Sequence, residues 1–115
     1  MRNVIAFIAV EVLSACATTH PVPTERLAAS QAAVRAAAEV GAENNPQASL
    51  YLRYAQEELE QGKQLVAAGE NDKAAVAFRR SSADAELALA LARASQAERE
   101  AKTAIDALNS AKKAN

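Results

Sequence analysis

The sequence predicts an all-α protein: an antiparallel helical hairpin with a long C-terminal helix, plus a shorter first helix, in a three-helix, coiled-coil-like arrangement. Three observations predict it. Hydrophobic residues make up 50% of the 115 but aromatics only 3%, so alanine, the best helix former, dominates the apolar half. Glycine and proline number three each and sit where helices should stop or start. Between them, small and apolar side chains recur at alternating spacings of three and four, a helix seam rather than a strand.

The first helix begins after Pro23, with Thr24 as its N-cap and Glu25 in its first turn, and runs to Val40 before Gly41 at the C′ position. Asn45 caps the second, Pro46 opens it, and it continues to Ala68, where Gly69 stops it. The short link Gly69-Glu70-Asn71 forces the next helix to turn back antiparallel. From Asp72 to about Ala114 nothing breaks the helical pattern, which makes a rod of roughly 60 Å at 1.5 Å per residue.

The helix faces follow from the spacing. In the second helix Ala48, Leu52, Ala55, Leu59, Gly62 and Val66 form a heptad-like seam. Gly62 costs ~1 kcal/mol against alanine there, so its place in the seam implies a close approach. The third helix has two stripes: Ala74, Phe78, Ser81, Ala85, Ala88 and Ala92, and then Leu87, Leu91, Ala94, Ala101, Ile105 and Leu108, broken by Glu98. The first helix offers Leu27, Val34 and Ala37, with Ser30 between them. An Ala methyl buries little area at roughly 25 cal/mol per Å², so these seams are thin. The second helix is too short to cover the third beyond about Arg93, yet Ile105 and Leu108 still share a side. Leu87, Leu91, Ile105 and Leu108 are therefore the candidate interaction surface, the alternative being a solvated helix held by propensity alone.

The amino terminus carries a different pattern. Arg2 precedes an apolar run from Val4 to Leu13, interrupted by Glu11, and then Ser14-Ala15-Cys16. That is the layout of a secretory signal, and the run is far below the ~20 residues of a membrane span. Leu13-Ser14-Ala15-Cys16 resembles the lipobox of bacterial lipoproteins. The resemblance implies cleavage between Ala15 and Cys16, acylation of the Cys16 thiol and, with alanine rather than aspartate at 17, delivery to the outer membrane facing the periplasm. The expected division is then a signal peptide over 1–15, a lipidated tether over 16–23 and an Ala-rich helical domain over 24–115. The other reading of Met1–Ala15 is a short amphipathic helix with Cys16 as a free thiol.

No constellation for chemistry stands out. One cysteine excludes an internal disulfide and a Cys-rich zinc site. His20, the single histidine, lies on the tether with no ligand at metal spacing. Ser81 and Ser82 have no histidine to activate them, and Glu57-Glu58-Glu60 reads as a solvated flank. A net charge of −1 with no clustered basic face argues against nucleic acid, and Arg79-Arg80 lacks a phosphate-cradling loop. Tyr51 and Tyr54 read as partial core. No enzyme activity, metal or cofactor is expected.

Pro46 through Ala92 contains Ala55, Leu59, Gly69-Glu70, Asp72-Lys73-Ala74, Phe78 and Ala83-Asp84-Ala85-Glu86-Leu87-Ala88. This stretch is similar to the bacterial family catalogued as domain of unknown function 4398, Ala-rich helical lipoproteins or N-terminal segments of larger envelope proteins. The resemblance implies helices and an envelope location, and carries no activity or site residues. The same stretch also resembles a single tetratricopeptide unit, where a solenoid needs about three. The expectation is a lipid-anchored structural or adaptor module acting through helix–helix contacts, by a protein partner or self-association. The alternative is a periplasmic carrier or chaperone-like binder using a groove around Tyr51, Tyr54 and Phe78 for a peptide or lipid chain.

Overall fold

Four alanine-rich turns open the body as α1, Thr24–Glu39, in a computed structural model that describes residues 20–114. A single 3-10 turn, Ala42–Asn44, leads to α2, Pro46–Ala67, and α3 runs unbroken over Asn71–Ala114. The all-α hairpin with a long last helix and a shorter first one is what the sequence predicts.

The punctuation holds at three of four positions. Gly41 and Gly69 have φ of 82° and 77°, the left-handed conformation that a residue without Cβ adopts at no steric cost. At Gly69 the motif is complete: Glu70 N–H donates to Leu65 O at 2.9 Å and Gly69 N–H to Val66 O at 3.0 Å, satisfying carbonyls that α2 leaves open. Asn45 accepts from Ala48 N–H at 2.9 Å, with Pro46 behind it as the first helical residue. Thr24, however, is not the cap of α1. It is already helical, Pro23 holds the cap position without a side-chain bond, and Leu27 N–H reaches back to Pro23 O. The helix starts one residue early because Pro23 needs no donor of its own.

α1 runs in the same direction as α3, and α2 runs against both. The core is built in three layers. One apolar layer joins Ala37, Ala42, Ala48, Leu52, Ala88 and Ala92, so the unpredicted 3-10 turn contributes the fully buried Ala42. Another joins Leu59, Ala74 and Phe78, with Leu27, Val34, Leu65 and Val66 packed against them. Phe78 is the largest fully buried side chain. Gly62 makes room for it: a Cβ placed there would come within 2.6 Å of Phe78 Cδ1.

Between the apolar layers lies a polar one. The buried Ser30 hydroxyl donates to Ser81 Oγ at 2.6 Å, and the Ser81 hydroxyl donates to the Ala55 carbonyl at 2.7 Å. One chain of hydrogen bonds thus crosses α1, α3 and α2, and every buried hydroxyl in it has a partner. The three-helix register is fixed at this level, where thin alanine seams would otherwise permit sliding.

Candidate interaction surface

The bundle ends at Ala92. Every α3 residue from 96 to 114 is exposed. These nineteen residues extend about 28 Å past the last contact, at 1.5 Å per residue. They are held as helix by alanine propensity and by i,i+4 side-chain bonds such as Gln96 Nε2 to Glu100 Oε1, 3.1 Å, and Arg99 Nη1 to Ser95 Oγ, 2.7 Å. The buried seam of Ala74, Phe78, Ser81, Ala85, Ala88 and Ala92 does not continue apolar. Its next steps along the same spacing are Ser95, Arg99, Lys102 and Asp106.

The four candidate residues divide. Leu91 is half-buried and packs against the layer around Ala88 and Ala92. Leu87 is 40% exposed, Ile105 57% and Leu108 63%. Leu91 belongs to the edge of the core, and the other three to solvent.

The second stripe read from the sequence divides in the structure, and part of it belongs to a longer outer seam. On the face of α3 opposite its buried seam, Arg80, Leu87, Ala94, Ala101 and Leu108 recur every seven residues, all exposed. Val76, Ala83, Ala90, Ala97, Ala104 and Ala111 recur three residues after or four before them, also all exposed. This outer heptad runs nearly the whole helix and contains one charge, Arg80. One position before the first set stand Arg79, Glu86, Arg93 and Glu100, alternating in sign and all exposed. Among the described residues none of those four lies in an ion pair.

Cys16 and the Ala15–Cys16 cleavage site lie outside the described residues. His20, the first residue described, has a partner that sequence spacing did not suggest. Its Nδ1 stands 2.9 Å from Asp72 Oδ2, and its carbonyl accepts from Asn71 Nδ2. Both contacts are exposed and weak in energy, but they bring the start of the body to the α2–α3 turn. The signal was not legible because the residues are 51 apart in sequence.

The groove expected around Tyr51, Tyr54 and Phe78 does not assemble. Phe78 is sealed beneath Gly62, Tyr51 packs on the other apolar layer, and Tyr54 is 41% exposed, edge-on to Tyr51. A shallow open groove of about 270 Å³ lies instead along Gln61, Leu65, Lys73, Val76, Ala77 and Arg80. Elsewhere on α2, Glu58 is partly buried with Oε2 unpartnered. Burial pushes its carboxyl above the ordinary 4.5, the Asp84 charge adds to this, and Arg80 opposes it. Among the described residues no three potential ligands gather to hold a metal, and no helix is long and apolar enough to cross a membrane.

The fold defines a class: an Ala-rich, up-down-up three-helix bundle whose last helix outruns its partners. Residues 25–104 match the family model described as domain of unknown function, DUF4398, and the chain belongs to that family. No curated protein and no solved structure matches it.

Proposed function

We propose that the chain is a lipid-anchored structural or adaptor module of the bacterial envelope, attached to the outer membrane through Cys16, facing the periplasm and acting through helix–helix contacts. The observation that carries the helix–helix part is the outer heptad of α3, which from Leu87 to Ala111 stands exposed among the described residues. The anchor is supported by Leu13-Ser14-Ala15-Cys16 behind a short apolar run. Its attachment point also suits the body: Cys16 is four residues before His20, so at ~3.6 Å per residue the lipid lies within about 15 Å of the α2–α3 turn. The acyl chain would hold that end at the membrane and leave the far end of α3 free.

Metabolic labelling with a fatty-acid analogue tests the anchor. The wild type takes label and fractionates with outer membranes. Cys16→Ser takes none and accumulates uncut, because serine lacks the thiol that accepts the diacylglycerol. Equal labelling of both chains would end the lipid reading.

A further inference from the structure

We infer that the outer face of α3 binds the same face of a second copy of this chain, antiparallel and in one register. The inference deepens the helix–helix reading above, on which it rests, by naming the partner; it does not depend on the lipid. The face itself is the first argument. Leu87 and Leu108 stand exposed amid alanines over five heptads, opposite the buried seam; toward the turn the face borders α2, where Val76 and Arg80 share a groove with Gln61 and Leu65. Alanine at most seam positions lets backbones approach closely, and a leucine then fits against an alanine across the axis.

The flanking charges fit a second copy of this face, and Arg80 selects its direction. Arg79, Glu86, Arg93 and Glu100 lie seven apart and read plus, minus, plus, minus. Reversed, the series reads minus, plus, minus, plus. In an antiparallel pair these positions face one another, so Arg79 meets Glu100 of the second copy and Glu86 meets Arg93. By symmetry each pair forms twice, giving four opposite-sign contacts and no like-sign contact. The same register sets Leu87 against Ala90, Ala94 against Ala83, and Arg80 against Ala97 of the other copy. A parallel pair in register would also form opposite-sign contacts, Arg79 with Asp84 and Arg93 with Glu98, but it would place Arg80 on Arg80 across the axis, a like-charge cost that the antiparallel register avoids.

The arrangement also accounts for the bare end. With the centre of symmetry between residues 88 and 89, the uncovered distal half of each α3 lies along the bundled half of the other. Leu108 then falls beside Gly69 of the second copy, where the left-handed turn leaves open space. The two α2–α3 turns stand about 50 Å apart along the helices at 1.5 Å per residue. If each carries a lipid, the pair lies along a membrane rather than standing on it.

The test uses the whole chain, with Cys16→Ser so that added labels are unique. Sedimentation over a wide concentration range should give a monomer–dimer equilibrium. Glu86→Arg alone, or Arg93→Glu alone, should weaken the dimer by about tenfold or more, and the double reversal should restore it. Both residues are exposed in the single chain, so circular dichroism should be unchanged in all three variants. A nitroxide on Thr103→Cys should report a separation near ~40–45 Å across the antiparallel dimer, against ~10–15 Å for a parallel one. A folded monomer at every concentration would overturn the inference, as would a short label separation or a double reversal that fails to rescue. Each of those results leaves the fatty-acid labelling of Cys16 unaffected, so the two readings fail separately.

Discussion

The two halves of α3 use one alphabet for opposite ends. Residues 71–92 and 93–114 are both alanine-rich, charged in mixed sign and continuously helical. The first half owes its stability to Phe78, to the Ser30–Ser81–Ala55 hydrogen bonds and to two neighbouring helices. The second has no neighbour among the described residues beyond Ser95, and survives on propensity and local bonds. It can do so because it continues a helix already nucleated in the bundle and exceeds the ~12–15 residues below which helices are marginal in water. What separates the halves is thus the face presented, not the composition. The inner seam turns charged at Arg99 just as its partners end, while the outer seam stays apolar to Ala111.

Substitutions should sharpen that division, and the largest effect belongs to the bundled half. Phe78→Ala empties the only fully buried ring among the described residues and should cost about 3–5 kcal/mol in chemical denaturation, which for a body this small approaches the whole stability. Gly62→Ala inverts a rule. In an ordinary helix interior it would gain ~1 kcal/mol, but here the added methyl strikes Phe78, and a net loss of about 1–3 kcal/mol is expected. A gain would mean the ring is not seated beneath Gly62.

The hydroxyl relay should show a directional asymmetry. Ser81→Ala removes both bonds and strands the buried Ser30 hydroxyl, while the Ala55 carbonyl keeps its helical bond, costing about 1–3 kcal/mol. Ser30→Ala leaves the Ser81 bond to Ala55 intact and should cost less. The double alanine variant should fall short of the sum of the singles, since the orphaned hydroxyl is gone. Strict additivity would show that the two serines do not share one network.

Glu58 gives a smaller, pH-dependent signal. Its carboxyl is raised in the folded chain, so the fold binds its proton more tightly than the unfolded chain does. That contribution is fully present below the ordinary carboxylate value of 4.5 and is lost as pH rises through the raised one. Glu58→Gln should therefore be slightly more stable than wild type at neutral pH and should lose this slope above 4.5. Identical pH profiles for the two chains would contradict the assignment. The smallest effect is reserved for the distal half: Ile105→Asp with Leu108→Asp should shift unfolding of the dilute chain by no more than about 0.5 kcal/mol, because both face water.

Much of this architecture was legible in the sequence, for a reason the core makes plain. Ala48, Leu52, Ala55, Leu59 and Gly62 are buried, as are Ala74, Phe78, Ser81, Ala85, Ala88 and Ala92, because a helix can bury only one narrow stripe and spacing reports the stripe. The Gly41, Asn45–Pro46 and Gly69 boundaries were equally plain, each being a local backbone requirement. What spacing does not record is contact at a distance. The Ser30–Ser81 bond and the His20–Asp72 pair each span about fifty residues, and periodicity shows neither. Periodicity also blurred the candidate surface. Leu91 and Leu108 fit one stripe on paper, yet α3 is sided by what packs against it, and Leu91 falls on the covered edge.

The difference between the halves of α3 is best measured by residue-resolved amide hydrogen exchange on the full chain at low and high concentration. Amides from Ala77 to Ala92 should be protected in both samples by the bundle itself, with a further gain when concentrated as the second copy stabilises the fold. Amides from Ala94 to Leu108 should exchange quickly when dilute and slow markedly when concentrated, as the second copy covers them. Fast exchange beyond Arg93 at every concentration would contradict the account and leave the distal helix as a solvated extension without a partner.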